Sequence, residues 1–158
     1  MTRVGIGYDV HPFQEGRLLV LGGVTIPHHL GLKGHSDADV LSHAIADAIL
    51  GALGQPDIGY FFPPNDPSIE GISSLKILEK CAALVAENGM RIGNIDASLI
   101  AEAPRVMPHA AEMKVRIAHA LGITPSQVGI KATTNERLGF IGRGEGIAAM
   151  AVAAVAPV

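Results

Sequence analysis

Cysteine is almost absent from this sequence, with Cys81 as the single one among 158 residues. A lone cysteine excludes a disulfide framework and a zinc cluster built from thiolates. Cys81 falls on the apolar side of a predicted helix, so we expect an inert core thiol. The cysteine usage predicts a reducing compartment, and we expect a cytoplasmic protein.

Charged residues and long apolar runs are also scarce. Charged residues make up 17% of the chain, against about 25% in a typical domain. The net charge of −3 and the pI of about 6.1 favour neither a nucleic-acid nor a membrane partner. The longest apolar run, residues 147–156, is shorter than the roughly 20 residues of a spanning helix. Because a strand is expected near the first residues, we expect no signal peptide there. A mean hydropathy of +0.33 predicts burial between subunits as well as within them.

Hydrophobic periodicity predicts an α/β (α+β) domain over residues 1–158, with a mixed β-sheet and helices packed on one side. Gly22-Gly23 separates two short apolar runs and predicts a hairpin. Ser36 is the expected N-cap of the first helix, with Asp37 and Asp39 in its first turn. The remaining predicted strands are 3–10, 18–21, 24–26, 94–101, 127–132 and 147–155, and the predicted helices end near Leu53, Asn88 and Leu121. Residues 57–67, rich in Pro, Asn and Asp, are predicted to form a loop.

Asp9 and His11 stand two positions apart at the end of the first apolar stretch. Residues with this spacing point to the same face of a strand. A carboxylate and an imidazole on one face supply two ligands of a three-ligand metal site. His43 lies four positions from Asp39 and from Asp47, so we expect these carboxylates to orient its imidazole. His35, just before the helix, is placed to bind an anion at unpaired helical amides.

Two further segments carry polar chemistry. A predicted strand ends in Thr133, Thr134, Asn135 and Glu136, whose hydroxyls, amides and carboxylate suit a phosphate with a bridging magnesium ion. The glycine-rich stretch 139–146 matches neither the dinucleotide-binding fingerprint nor a P-loop. Residues 101–105 form another strand-end loop, of small residues and one cation, against which a planar ring could lie.

These segments together resemble the 2-C-methyl-D-erythritol 2,4-cyclodiphosphate synthase family of the non-mevalonate isoprenoid pathway. The matches follow the family's order and spacing over essentially the whole chain. They are Gly7-Tyr8-Asp9-Val10-His11, Gly34-His35-Ser36-Asp37-Ala38-Asp39-Val40, Asp57-Ile58-Gly59, Ala103-Pro104, and Lys131-Ala132-Thr133-Thr134 through Gly146.

The resemblance implies a homotrimer around a threefold axis, with active sites between subunits that act as a CMP-releasing phosphorus–oxygen lyase. Zinc would be bound by Asp9, His11 and His43, and magnesium or manganese by Glu136. The implied catalytic residues are His35 and Thr134. The cytidine-diphosphate-linked substrate would be bound by Asp9, Val10, His11, His35, Ser36, Asp57, Ile58, Gly59, Phe62, Pro63, Pro64, Asn65, Asp66, Ala101, Glu102, Ala103, Pro104, Arg105, Val106, Met107, Thr133, Thr134, Asn135, Glu136, Phe140 and Arg143.

Three positions depart from the family pattern. Pro64 stands where many relatives carry an acidic residue, and either Asn65 or Asp66 could replace that contact. Arg105 replaces a frequent lysine, and Asn135 a frequent threonine. The first two changes bear on how the substrate is held more than on the bond-forming step, and Asn135 lies beside both.

The glycine-rich stretch is expected to serve the trimer more than the chemistry. Phe140, Arg143 and Glu145 would lie near the threefold axis, where three arginines require anions nearby. Glu145 or an isoprenoid diphosphate bound on the axis would supply them.

Residue chemistry alone leaves three classes open. The first is the cyclodiphosphate synthase that the resemblance implies. The others are a mononuclear zinc phosphohydrolase, which would hydrolyse simple phosphate esters, and a non-catalytic trimeric binder, which would purify without zinc and release no CMP. The absence of a Ser/His/Asp or reactive-cysteine arrangement agrees with the cyclase, because an ionised phosphate needs no strong base.

Overall fold

Seven strands and five helices form the chain, whose residues 1–158 are all described by a computed structural model. The strands are β1 (Arg3–Gln14), β2 (Leu19–Leu21), β3 (Val24–Ile26), β4 (Gly31–Leu32), β5 (Met90–Ile100), β6 (Val128–Thr133) and β7 (Gly146–Pro157). The helices are α1 (Val40–Leu53), α2 (Ile58–Phe61), α3 (Ser74–Glu87), α4 (Ala110–Leu121) and α5 (Gly139–Gly142). Short 3₁₀ turns cover Pro67–Ile69, Met107–His109 and Pro125–Gln127.

The main sheet has five strands in the order β4-β1-β7-β5-β6. β5 and β6 are parallel, whereas β7 is antiparallel to both β1 and β5. The mixed sheet predicted from the sequence is therefore confirmed. Because β1, β5 and β6 run in the same direction, their carboxyl ends lie at one edge of the sheet. That edge carries the polar segments that the sequence singled out.

Helix α1 lies unusually close to β1 because two glycines face it. A Cβ atom on Gly7 would lie 1.9 Å from the carbonyl oxygen of Ala44, and one on Gly5 would lie 2.0 Å from that of Ala48. No other residue type fits at this separation. The core fills the space between the sheet and α1, α3 and α4, and Cys81 is fully buried in it. Burial raises the pKa of the Cys81 thiol to about 12, as expected for an inert thiol.

The opposite face of the sheet carries apolar side chains that nothing in the chain covers. Ile6 is 66% exposed and Tyr8 is 52% exposed, and Val4, Met150 and Val152 are also exposed. All three longer helices pack on the other face, which confirms the predicted one-sided arrangement. No helix has both the length and the apolar character needed to cross a membrane.

The first helix begins later than the sequence predicted. Its N-cap is Asp39 and not Ser36, so Asp37 and Asp39 lie outside the first turn. The Asp39 carboxylate accepts hydrogen bonds from the amide and hydroxyl of Ser42 and from the amides of Gly22 and Gly23. Both glycines have positive φ in the β2–β3 hairpin, as the Gly-Gly signal predicted. A single buried carboxylate thus joins the hairpin to the helix.

Two boundary predictions were also wrong. The segment 57–67, predicted as a loop, contains α2 and a 3₁₀ turn. Strand β1 continues beyond the predicted end to Gln14, where it pairs with β4. The Asp9 and His11 pair therefore lies within a paired strand and not at its end.

Candidate functional site

Three side chains from β1 and α1 converge on one point. The Oδ2 atom of Asp9 lies 2.9 Å from Nε2 of His11 and 3.1 Å from Nδ1 of His43. The two imidazole nitrogens are 3.3 Å apart. Asp9 and His11 leave the inner face of β1, as the two-residue spacing predicted, and the close packing at Gly7 brings His43 to them.

The backbone fixes the orientation of His11. Its Nδ1 lies 2.7 Å from the carbonyl oxygen of Lys33, which can only accept a hydrogen bond, so Nδ1 carries the proton. In the neutral ring, Nε2 therefore carries no proton and faces Asp9 and His43. A carbonyl partner of this kind is the usual outer contact of a histidine that binds a metal ion.

The donor set fits a divalent metal ion. A tetrahedral zinc with bonds of about 2.0–2.1 Å to nitrogen or oxygen places its ligand atoms roughly 3.3 Å apart. The three ligand atoms here are separated by 2.9, 3.1 and 3.3 Å. Lone pairs this close require a positive charge between them. Asp9, His11 and His43 can therefore hold a metal ion.

Asp9 and His11 each shift the pKa of the other, and these shifts determine whether a proton occupies the place of a metal ion. Burial alone would raise the pKa of Asp9, but hydrogen bonds and charges from His11 and His43 hold it well below its usual range. Burial alone would lower the pKa of His11, but the hydrogen bond and charge of Asp9 outweigh burial and raise it above 6.5. A proton on His11 would have to leave before a metal could bind.

The surroundings of His43 differ from the sequence prediction. Neither Asp39 nor Asp47 bonds to it: Asp39 binds the hairpin, and Asp47 accepts the amide of Ile58. The Nε2 atom of His43 instead lies 2.8 Å from Oγ of Ser74 and 3.2 Å from Oγ of Ser36. The sequence contains no local sign of Ser74, which lies 31 positions away.

A cavity of about 210 Å³ opens beside the three ligands. Besides Asp9, His11 and His43, its lining includes His35, Ser36, Ile58, Gly59, Phe62 and Pro64. Asn65 and Asp66 line an adjoining cavity with His35. Asp57 precedes α2 without capping it. Val10 lies on the outer face of β1, away from this cavity. His35 and Ser36, which precede the first helix, therefore line the same cavity as the three ligands.

Arg17, which sequence analysis missed, holds the loop that carries His35 and Ser36. Its guanidinium donates hydrogen bonds to the carbonyl oxygens of Gly34 and Ser36, each at 2.6 Å. The amide of Ala38 donates to Oγ of Ser36. His35 therefore precedes a tightly tied turn and not the helix itself, which begins at Val40, and anion binding at His35 stays a prediction.

A second cavity, of about 630 Å³, lies at the carboxyl ends of β5 and β6. It is lined by Ala101, Glu102, Pro104, Arg105, Val106, Met107, Pro108, Ala132, Thr133 and Thr134. It shares no lining residue with the cavity beside the metal ligands. The two strand-end loops noted in the sequence therefore form one pocket, as their parallel pairing dictates.

The turn after β6 is held in an uncommon conformation. Glu136 and Arg137 both have positive φ, which is rare for residues with a side chain and clusters at functional sites. One oxygen of Glu102 accepts hydrogen bonds from the amides of Asn135 and Arg137. The Glu136 side chain is exposed and is not part of the three-ligand centre.

The glycine-rich stretch forms the short helix α5 and the turn before β7. Phe140 lies in α5 and is partly exposed. The Arg143 guanidinium donates to Oε2 of Glu145 at 3.0 Å from Nε, with both side chains exposed. Glu145, one of the two anions that the sequence offered to offset the charge of Arg143, is thus paired with it within the chain.

A one-sided α/β sheet with a three-ligand centre and a strand-end pocket defines a small α/β domain with a centre that could hold a metal ion. The YgbB family model matches residues 2–156. The chain is 63% identical over 152 residues to the 2-C-methyl-D-erythritol 2,4-cyclodiphosphate synthase of Akkermansia muciniphila, covering 96% of this chain and 90% of that one. The chain belongs to the YgbB family, as the sequence resemblance indicated.

Two solved structures have folds similar to that of this chain. The bifunctional IspDF of Campylobacter jejuni has a TM-score of 0.94 at 41% identity, covering 98% of this chain and 42% of that one. The IspF CDP complex of Plasmodium falciparum has a TM-score of 0.86 at 36% identity, covering 99% of this chain and 96% of that one.

Proposed function

We propose that the protein converts 4-diphosphocytidyl-2-C-methyl-D-erythritol 2-phosphate to 2-C-methyl-D-erythritol 2,4-cyclodiphosphate and CMP. The observation that carries this is the convergence of Asp9, His11 and His43 in a chain 63% identical to a synthase of that name over nearly its whole length. The reaction class is a CMP-releasing phosphorus–oxygen lyase in isoprenoid precursor synthesis.

The reaction exchanges one phosphorus–oxygen bond for another. An oxygen of the 2-phosphate bonds to the β-phosphorus, and the bond from that phosphorus to the oxygen bridging to CMP breaks. The attacking phosphate is already ionised at neutral pH, so the protein must bring anions together and does not need a strong base. Zinc at Asp9, His11 and His43, with magnesium or manganese held through Glu136, would supply the neutralising charge.

His35 and Ser36 would hold the 2-phosphate. Both line the cavity beside the metal ligands. Oγ of Ser36 already accepts the Ala38 amide, and its own proton is free to be donated to a phosphate oxygen. Asp57, Ile58 and Gly59 would contact the ribose. Residues 62–66 would enclose the erythritol, with Asn65 or Asp66 taking the contact that Pro64 lacks.

The larger cavity would take cytosine and the diphosphate. Its small side chains and exposed backbone suit a flat base, and Arg105 and Thr134 add a cation and a hydroxyl. Thr134 would bind phosphate oxygens, with Thr133, Asn135 and Glu136 beside it. Glu102 would keep this turn in place through its two amide contacts.

The assembly that this function needs is a homotrimer with shared sites. Two observations support it: an apolar sheet face lies uncovered, and the metal cavity shares no residue with the nucleotide cavity of the same chain. Phe140 and Arg143 would lie near the threefold axis, where Glu145 or an isoprenoid diphosphate would offset three arginines. More than ~10 Å between Arg143 residues, beyond a Debye length at 0.1 M salt, would contradict that arrangement.

The activity is tested by incubating pure protein with the proposed substrate and following CMP by phosphorus NMR. We expect equimolar CMP and cyclic diphosphate, lost after chelation and restored by zinc with magnesium. Hydrolysis of simple phosphate esters by water would favour the phosphohydrolase. Protein without zinc that releases no CMP would favour the binder. The cytoplasmic location remains a prediction that cell fractionation can check.

The shared site is tested by mixing two inactive variants. Asp9→Asn disables the zinc side, and Thr134→Ala with Glu136→Ala disables the nucleotide side. After joint unfolding and refolding, about three-quarters of randomly assembled trimers are mixed, each with one intact site of three, so activity should return to about a quarter of wild type. No recovery, with reassembly confirmed by native mass spectrometry, would show that each subunit holds a complete site.

A further inference from the structure

Ser74 links the metal ligand His43 to a carboxylate that no part of the proposed reaction uses. Ser74 is the first residue of α3 and is fully buried. Its Oγ lies 2.8 Å from Nε2 of His43 and donates a hydrogen bond to Oδ1 of Asp37. The three residues come from α1, from the N-terminus of α3 and from the turn before α1, and they meet only in the folded chain.

The hydrogen-bonding capacity of each group determines which of the three residues donates and which accepts. A carboxylate can only accept, and a hydroxyl has one proton to give. Because Ser74 gives its proton to Asp37, it must present a lone pair to His43. Nε2 of His43 therefore carries the proton, and Nδ1 is left bare toward Asp9 and His11. This is the tautomer that a metal at the three-ligand centre requires.

Asp37 is itself held so that it can act only as an acceptor. Its Oδ2 accepts the Ser74 amide at 3.0 Å, and its Oδ1 accepts the Asp39 amide at 3.1 Å in addition to the Ser74 hydroxyl. Ser36 is a weaker alternative partner for His43, since its Oγ is 3.2 Å from Nε2 and already accepts the Ala38 amide. Ser74 is thus the main acceptor for the His43 proton.

We propose that Ser74 and Asp37 are positioning residues that select the His43 tautomer and so set the metal affinity of the site. The inference rests on the proposed function only in requiring that Asp9, His11 and His43 bind a divalent ion. Without the Ser74 hydroxyl, the buried Nε2 proton loses its nearest acceptor and the opposite tautomer becomes accessible. Loss of such an outer partner typically lowers metal affinity by about 10–100-fold.

The neighbouring serine provides a matched control. Ser73 is exposed and caps α3 through the Leu75 amide, but it does not contact His43. Ser74→Ala removes the hydroxyl while keeping the backbone amide that Asp37 binds. Zinc affinity, measured by competition with a chelating dye, should fall by about 10–100-fold in Ser74→Ala and stay within about twofold of wild type in Ser73→Ala. Asp37→Asn should show a loss in the same direction as Ser74→Ala, because its amide group can donate.

A spectroscopic measurement reads the tautomer directly. In metal-free protein labelled with ¹⁵N-histidine, the ring couplings of His43 should show the proton on Nε2 in wild type and in Ser73→Ala. Ser74→Ala should show a mixture of the two tautomers. If Ser74→Ala does not fold, the inference is tested by the His43 tautomer in wild type and by the zinc affinity of Asp37→Asn.

The outcomes separate this inference from the proposed function. Unchanged zinc affinity in folded Ser74→Ala, or a wild-type proton on Nδ1, would overturn the positioning role while leaving the metal site in place. Wild-type protein that binds no zinc would overturn the metal chemistry, and the tautomer measurement would still decide the role of Ser74.

Discussion

Gly7 controls how closely the two elements that carry the metal ligands approach, and replacing it with alanine isolates that effect. The added Cβ would lie 1.9 Å from the carbonyl oxygen of Ala44, whereas real Cβ contacts essentially never fall below 3.0 Å. Strand β1 and helix α1 must therefore move apart by at least about 1 Å. Overpacking of this kind typically costs about 1–3 kcal/mol of stability.

The same displacement acts on the metal site. Asp9 and His11 are on β1 and His43 is on α1, with ligand atoms 2.9–3.3 Å apart. Metal–ligand distances tolerate only about ±0.2 Å, so a 1 Å separation should remove His43 from the metal. We expect Gly7→Ala to lose both stability, measured by urea unfolding, and most of its zinc affinity, measured by chelator competition.

Gly51 supplies the control, because it lies on the same interface with room to spare. A Cβ there would meet its nearest atom at 3.7 Å, and alanine within a helix is favoured over glycine by about 0.5–1 kcal/mol. Gly51→Ala should therefore be slightly more stable and should bind zinc normally. Equal stability and zinc affinity in Gly7→Ala and wild type would refute the close-approach argument.

Four further predictions concern buried or paired groups. Zinc affinity should fall as the pH drops through the raised pKa of His11, above 6.5, as titration calorimetry can show. Metal-free protein should instead lose the stability of the charged His11–Asp9 pair as the pH rises through that pKa, and a melting temperature that does not fall as the pH is raised above 6.5 would contradict the pairing. Cys81, with a pKa of about 12, should resist iodoacetamide at pH 8 until urea unfolds the protein; rapid native labelling would place it near the surface. Asp39→Asn should lower the free energy of unfolding by about 3 kcal/mol, because an amide nitrogen cannot accept the bonds that the carboxylate accepts; a change within about 0.5 kcal/mol would show that these bonds contribute little.

The metal ligands illustrate what local sequence rules can predict. Alternation along a strand depends only on neighbouring residues, so the shared face of Asp9 and His11 could be predicted from their spacing. His43 could be only a candidate, because its approach depends on the glycines that let α1 lie against β1. Its acidic neighbours one turn away made His43 a candidate among seven histidines, and the resemblance to a family then selected it.

The errors have a common physical origin in long-range contacts. Ser36 has the composition of an N-cap, but Asp39 takes that role because its carboxylate also binds Gly22 and Gly23, which lie far back in the chain. The partners of His43 were misassigned for the same reason, since Ser74 reaches it from another helix. Helix α2 lies in a segment rich in Pro, Asn and Asp, whose composition favours turns.

The position of β7 in the sheet has a consequence for how the protein is made. β7 follows every other strand along the chain, yet it lies between β1 and β5 and pairs with both. Ribosomes add about 5–20 residues per second. Strand β7 is therefore synthesised several seconds or more after β1, with which it pairs. During that time the apolar side chains of β1 have no sheet to join, and contacts this distant in sequence form slowly. Nascent chains stalled before residue 146 should therefore bind chaperones and resist folding, whereas chains released after β7 should become protease-resistant in a single step.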